Sequence, residues 1–429
     1  MTAQGSLLAR ARPLLAARLA SALLGVSLPM VVARVLSPAE YGTYRAALLV
    51  AASLALVLPM GVSISLFYFV PREPRTSGRW VAGALAWTWA AGLVAAALLL
   101  AGGDLLVRHF GNPALRAQLP WVALSTLFTL GGSALDLALA ASGALGAAGL
   151  VRAGTELTRA AAMIAGTLAL GSLQGALCGL AVAAGLRAAL AWVWLSRRFP
   201  LELRGAALRR QLGYALPFGA AAVAATAQTQ LHLYAVGGAV SAAAFAVYTV
   251  GCFQLPIVDV LYTPVSEVLQ IGLAELERAG RAGRALALFR EAVARLSLAL
   301  LPLVALLLAV APAFIALLFS ERYLEAAPLF RISLLAVPLA ALPLDGVLRA
   351  TAQNRFMLAV SVAKLAATAV LVLAGFRALG PAGALAGWIL AEAAARMAVL
   401  VRVGRLLGAG PRDVLPWGDL GRQALAAAA

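Results

Sequence analysis

Six cations and five carboxylates interrupt stretches of sequence that are otherwise apolar. The cations are Arg18, Arg159, Arg187, Arg349, Lys364 and Arg396; the carboxylates are Asp136, Glu156, Asp259, Asp345 and Glu392. An ionised group at bilayer depth costs at least ~2.5–3.5 kcal/mol on insertion scales, so each is a candidate for function. Three pairs stand one helical turn apart: Glu156/Arg159, Asp345/Arg349 and Glu392/Arg396. Such i,i+3 and i,i+4 neighbours neutralise each other. They read as structural pairs, with Asp345/Arg349 the exception to test.

Arg18, Arg187 and Lys364 have no local partner, and neither do Asp136 and Asp259. A cation without a partner suits a phosphorylated ligand. The guanidinium fork binds phosphate oxygens in pairs and keeps its charge, whereas a buried lysine can release its proton. Arg18, Arg187, Lys364 and Arg349 are therefore the candidate binding cations, although Arg18 lies shallow enough to snorkel to the interface instead. Asp136 and Asp259 read either as cross-helix partners of these cations or, together with Asp345, as sites coupling transport to a proton or sodium gradient. His232, among Gln228 and Gln230, reads first as a neutral hydrogen-bonded residue and second as a proton relay.

Other chemistries lack their residues. Lys364 is the only lysine, which excludes a GxxxxGK phosphate loop. No Asp-x-Asp occurs to bind the metal of a sugar transferase, and two histidines, His109 and His232, make no metal site. Cys178 and Cys252 lie in apolar runs and suggest no disulfide framework.

The elements that must position these charges follow from composition. Of 429 residues, 63% are hydrophobic and 12% charged, against roughly 45–50% and 25% in soluble domains. A water-soluble enzyme of this size could not bury that excess. Runs of about 20 apolar residues mark transmembrane helices, and twelve are expected, near 13–36, 46–70, 80–102, 119–141, 153–171, 174–195, 213–235, 241–264, 296–319, 327–350, 356–376 and 382–404. They are apolar on nearly all faces, which excludes alternating barrel strands. The segment 265–295, with Leu269, Leu273, Leu276 and Leu286 among charges, reads as an amphipathic helix on the inner membrane surface. Trp87, Trp89, Trp192 and Trp194 read as interfacial anchors.

With the N-terminus inside, 21 basic residues fall in cytoplasmic segments, 7 in external ones and six within spans. That bias expects a multi-pass membrane protein with both termini cytoplasmic, and it accounts for the net charge of +17 without nucleic acid. A weak repeat runs through the chain. Asp136 and its neighbours match Asp345 at an offset of 209, and Ser37, Tyr41 and Tyr44 match Ser241, Phe245 and Tyr248 at 204. The expected plan is an N-terminal lobe over 1–195, a cytoplasmic linker over 196–212, a C-terminal lobe over 213–404 and a cytoplasmic tail over 405–429. Each lobe holds six helices, and parallel repeats of this kind share one orientation.

Three segments carry a family resemblance: Arg34-Val-Leu-Ser-Pro-Ala-Glu-Tyr-Gly-Thr-Tyr44, Gly213-Tyr-Ala-Leu-Pro217, and Leu317-Leu-Phe-Ser-Glu-Arg-Tyr323 with Ala326-Ala327 and Leu329. Through them the chain resembles the Wzx-type polysaccharide or O-antigen flippases of the multidrug/oligosaccharidyl-lipid/polysaccharide exporter superfamily. The resemblance implies two lobes in a V around a central cavity. It also implies a secondary transporter, not an enzyme, that moves a polyprenyl-pyrophosphate-linked oligosaccharide from the inner to the outer leaflet for surface polysaccharide such as lipopolysaccharide. A polysaccharide polymerase and a chain-length regulator are the partners expected besides membrane lipid; no cofactor is. The chain departs from the family in the seventh span, where Gln228-Thr-Gln-Leu-His232 has no carboxylate. Alternatives are a lipid II flippase, though those have fourteen spans, a multidrug antiporter, which would want an acidic cavity, and a membrane polysaccharide polymerase, which would want a large external loop.

Overall fold

The computed structural model describes residues 27–428, apart from 280, 352 and 411–412. Among the described residues every regular element is a helix, as a lipid-facing backbone demands. Eight helical stretches are long and apolar enough to cross a membrane by length and composition: Pro38–Arg72, Pro74–Ala101, Ala114–Ala141, Leu173–Arg198, Pro256–Leu276, Ala285–Ala309, Glu321–Ala350 and Arg355–Leu406. The last is two spans in one. Leu379 and Gly380 leave helical geometry, Gly380 at φ +61°, and Pro381 follows. The remaining long helices, Leu145–Leu170 and Gly205–Gly237, cover the expected spans 153–171 and 213–235. The expected first span lies outside the described residues except for 27–36, of which 27–35 is helical.

Several spans are broken where the sequence reading draws single rods. The expected 241–264 span is Ala242–Gly251 followed, after a break, by Pro256–Arg278. The expected 327–350 span is Ala327–Leu334, a 3₁₀ turn over Val337–Ala341, then Leu344–Ala350. Prolines cause this: Pro256 starts a helix, while Pro338 and Pro343 cannot donate into one. Gly143 (φ +84°) ends the fourth span where Ser142-Gly143 places it. The amphipathic surface helix expected over 265–295 is not formed as such. Its two halves extend Pro256–Arg278 and Ala285–Ala309, and Leu269, Leu273, Phe289, Ala292 and Val293 pack together in a core.

The chain divides into two compact units. One comprises the residues up to Thr226 with Gly237–Ala246, the other Ala227–Val236 with Val247–Ala429. One core of the first unit gathers Val62, Leu66, Phe69, Trp80, Leu135 and Leu195. There the Ser37-Pro38-Ala-Glu40 segment is a helix start. Ser37 and Glu40 form a reciprocal capping box, with Pro38 in the first turn.

Each unit also contains a hairpin closed on glycine. In the first, a Cβ at Gly175 would lie 2.1 Å from the Gly166 carbonyl oxygen, and one at Gly179 would lie 2.1 Å from that of Ala162. In the second, a Cβ at Gly383 would lie 1.9 Å from the Gly375 oxygen, and one at Gly387 would lie 2.2 Å from that of Leu371. Gly375, Gly383 and Gly387 stand 209, 208 and 208 positions after Gly166, Gly175 and Gly179. Small residues let backbones approach where apolar packing gains nothing over lipid.

Candidate functional site

Five of the in-span charges meet their partners across helices or turns in two clusters, one in each unit. In the first unit Asp136 sits on the short Ala134–Ala141 helix, which begins after the Gly131-Gly132-Ser133 break. Arg187 lies on Leu173–Arg198. Arg187 Nη2 donates to Asp136 Oδ1 at 2.8 Å, and the two side chains keep 21% and 18% of their surface open. Gly132 permits this meeting: a Cβ there would stand 3.1 Å from Arg187 Cγ and 3.2 Å from the Ala188 nitrogen. Asp136 is thus placed as a cross-helix partner of Arg187. Nearby on Leu145–Leu170, Glu156 and Arg159 pair at 2.5 Å, as their spacing predicts.

In the second unit one carboxylate serves two cations. Glu392 bonds Lys364 through one oxygen and Arg396 Nε through the other, the latter at 2.7 Å. The three side chains are 18%, 19% and 25% open. Lys364, which has no partner in the linear sequence, finds Glu392 across the hairpin. Arg396 also donates from Nη1 to the carbonyls of Leu339 at 2.8 Å and Leu342 at 3.3 Å. In an unbroken helix the Leu339 carbonyl would accept from the nitrogen of residue 343. That residue is Pro343, which has no N–H, and the carbonyl accepts from the Leu342 nitrogen at 3.3 Å and from the guanidinium.

The structure does not join Asp345 to Arg349. Both are exposed, and they form no ion pair among the described residues. Asp259 is exposed too and takes no cation as partner among the described residues. Arg18 lies outside the described residues.

The polar residues of the seventh span are structural glue in the second unit. Gln228 Nε2 donates to the Ser361 carbonyl at 2.6 Å, and the Gln228 carbonyl accepts from Trp388 Nε1 at 3.2 Å. His232 is buried, 2.7 Å from the Tyr248 hydroxyl through Nδ1 and 5.2 Å from the Trp388 ring. This is the hydrogen-bonded arrangement, the first of its two readings. Trp87 and Trp89 are partly buried and pack against a core of the first unit. Trp87 Nε1 caps the Pro59 carbonyl at 3.0 Å, and Trp89 packs on Phe128 and under Gly131. Trp192 is 54% exposed, as an anchor requires.

One set of residues lies outside the sequence-derived candidates. Glu73 bonds Arg79 and lies 3.8 Å from Arg210 at one end of the first unit. The Arg79 hydrogen bond holds the Glu73 carboxyl below its ordinary range. The available signal was a single acidic residue in the run Arg72-Glu73-Pro-Arg75.

The fold has relatives among solved transporters. It is similar to the lipid II flippase MurJ in an inward closed conformation, with TM-score 0.76, 14% identity, and 96% of this chain and 89% of that chain covered. It is similar to an inward-facing multidrug resistance MATE family transporter of the MOP superfamily, with TM-score 0.68, 16% identity, and coverage of 90% and 95%. A MOP superfamily transporter from Pyrococcus furiosus, described as having a binding pocket of reverse polarity, gives TM-score 0.61, 14% identity, and coverage of 92% and 95%. No curated protein matches the sequence significantly. At such identities these structures establish the fold alone, an all-helical one shared with solved transporters of the MOP superfamily. Residues 31–328 match the model of the polysaccharide biosynthesis protein family, and the chain belongs to that family.

Proposed function

We propose that the protein is a secondary-transport flippase. It carries a polyprenyl-pyrophosphate-linked oligosaccharide from the inner to the outer leaflet of the bacterial inner membrane, for assembly of surface polysaccharide by a polymerase and chain-length regulator. The observation that carries this reading is the Lys364–Glu392–Arg396 cluster. Two cations share one carboxylate, which leaves positive charge at membrane depth in a chain of the polysaccharide biosynthesis family. A pyrophosphate brings at least two negative charges and several acceptor oxygens, and fixed cations lower the cost of moving it through a low dielectric. On this reading Lys364 and Arg187 meet the substrate by exchanging their resident carboxylates for phosphate oxygens.

Asp345 is the best placed carboxylate for coupling to a proton or sodium gradient. Asp136 is committed to Arg187, whereas Asp345 has neither Arg349 nor Arg396 as an ion-pair partner. Both termini and the Arg-rich segment 196–212 are cytoplasmic on this reading, following the basic bias of the loops.

The test is complementation of a strain lacking this chain. Lys364→Gln and Arg187→Gln should each reduce surface polysaccharide at unchanged membrane protein level, while lipid-linked precursor accumulates. Normal polysaccharide in both variants would remove these residues from the site. A lipid II cargo is the second reading, favoured by the likeness to the lipid II flippase fold. It predicts cell-wall defects instead of polysaccharide loss.

A further inference from the structure

At one end of the first unit, three guanidinium groups lie on a floor of stacked aromatic rings. The Arg72 guanidinium is 3.8 Å from the Tyr68 ring centre; those of Arg79 and Arg210 are 4.8 Å and 5.2 Å from that of Trp80. The floor is braced. Phe69 stacks on Trp80 at 4.2 Å and Tyr68 on Tyr214 at 4.6 Å. The fully buried Gln211 donates from Nε2 to the Trp80 carbonyl at 3.0 Å and to Ser65 Oγ at 3.3 Å. One anion rests on these cations. Glu73 bonds Arg79, stands 3.8 Å from Arg210, and accepts from Thr76 Oγ1 at 3.2 Å.

We propose that this cluster is a receptor for the headgroup of a polyprenyl pyrophosphate, with Glu73 holding the headgroup's place until it arrives. The proposal rests on the flippase reading above and adds to it a docking site, apart from the in-span charges, with a built-in competitor. Three features carry it. The aromatic rings fix the guanidinium planes before any ligand binds, so little side-chain freedom remains to be lost. The Glu73–Arg210 contact is weakly held: Arg210 is 61% open and Glu73 31%, and an ion pair so hydrated contributes little, so Arg79 is the one close partner a ligand must displace. A pyrophosphate, with more charge and two phosphate groups, can engage Arg79 and Arg210 together, which one carboxylate reaching Arg210 only at 3.8 Å does not. The tail follows from the surroundings. Phe67 and Tyr68, 47% and 37% exposed at the end of a span, stand where aromatic side chains meet lipid headgroups. The site therefore faces a lipid-anchored anion, not a soluble one.

The test is binding of farnesyl pyrophosphate to the purified full chain in nanodiscs of neutral lipid, with inorganic pyrophosphate and phosphatidylglycerol nanodiscs as controls. Glu73→Gln should bind farnesyl pyrophosphate about tenfold more tightly than the parent, and the Arg79→Gln/Arg210→Gln double variant about tenfold less tightly, because the competitor or the fork has been removed. Glu73→Asp keeps the charge but shortens its reach. It should tighten binding by an intermediate factor, and it serves as the probe if Glu73→Gln fails to fold. The proposal is overturned if monodisperse Glu73 variants bind farnesyl pyrophosphate no better than the parent. It is also overturned if they gain equally for inorganic pyrophosphate, or gain only for phosphatidylglycerol. Failure here is separable from failure of the flippase reading. Tighter Glu73→Gln binding together with normal polysaccharide in the deletion strain would keep the site and discard the flippase. Unchanged binding together with lost polysaccharide would do the reverse.

Discussion

Arg187 and Arg396 stand 209 positions apart, as do Asp136 and Asp345, yet only the first unit joins its arginine to its aspartate. The difference lies in two residues. Position 183, the counterpart of Glu392, is alanine, and Glu156 stands 208 positions before Lys364. In the second unit Glu392 is one turn from Arg396 and close to Lys364, so it captures both and leaves Asp345 free. Removing Glu392 therefore strands two cations, whereas Arg187→Gln strands only Asp136. Each change breaks a mostly buried pair, at a cost on the order of 3–5 kcal/mol. Glu392→Gln should lower the melting temperature in nanodiscs more than Arg187→Gln, and pairing Arg187→Gln with Asp136→Asn should recover part of its loss. Glu73 gives a pH prediction. Its carboxyl is held low by Arg79, so its stabilisation is fully present above the unfolded value and fades only as pH falls through the lower folded one. The melting-temperature gap between the parent and Glu73→Gln should stay constant from neutral pH to about pH 5 and shrink below it.

The elements depend on breaks as much as on rods. Beside the Val337–Ala341 turn and Pro343, the Leu339 and Leu342 carbonyls hold only short-range backbone bonds, and Arg396 adds a donor to each. Arg396→Gln should therefore cost more in the parent than in a Pro343→Ala background, where residue 343 regains an N–H. Additive losses in the double-mutant cycle would remove that coupling. The glycine hairpins make a contrasting pair of predictions. A Cβ at Gly383 meets the Gly375 oxygen at 1.9 Å, so Gly383→Ala must push the helices apart, at a cost of ~1–3 kcal/mol. Gly380 has open space but φ +61° and ψ −144°, a conformation close to one that glycine alone adopts readily, so Gly380→Ala adds only backbone strain, ~1–3 kcal/mol. Thermal melting of both variants separates clash from strain. Glycine frequency made these motifs weak signals in the sequence; the backbone-to-backbone approach shows which glycines are needed.

For the whole molecule the open quantity is orientation. With Cys178 and Cys252, which form no disulfide, replaced, Glu325→Cys should react with an impermeant maleimide in intact cells. Arg204→Cys should react only after permeabilisation. The opposite pattern would invert the reading of the loops and place the Glu73 cluster on the outer face.

Class, helical architecture and family were legible from residue order, because each is a local sum. Twenty apolar residues cost too much to leave in water wherever they occur, and basic loops sort by charge count. The Ser37–Glu40 cap and the Glu156/Arg159 and Glu392/Arg396 pairs are equally local. Partner choice is not. Asp136 reaches Arg187 across 51 positions, Lys364 reaches Glu392 across a hairpin, and Asp345 misses the Arg349 one turn away. Those outcomes depend on where glycines let helices touch and where prolines stop them. Such breaks turn side chains away from the faces an unbroken helix would give them, so only the folded chain decides which charges meet.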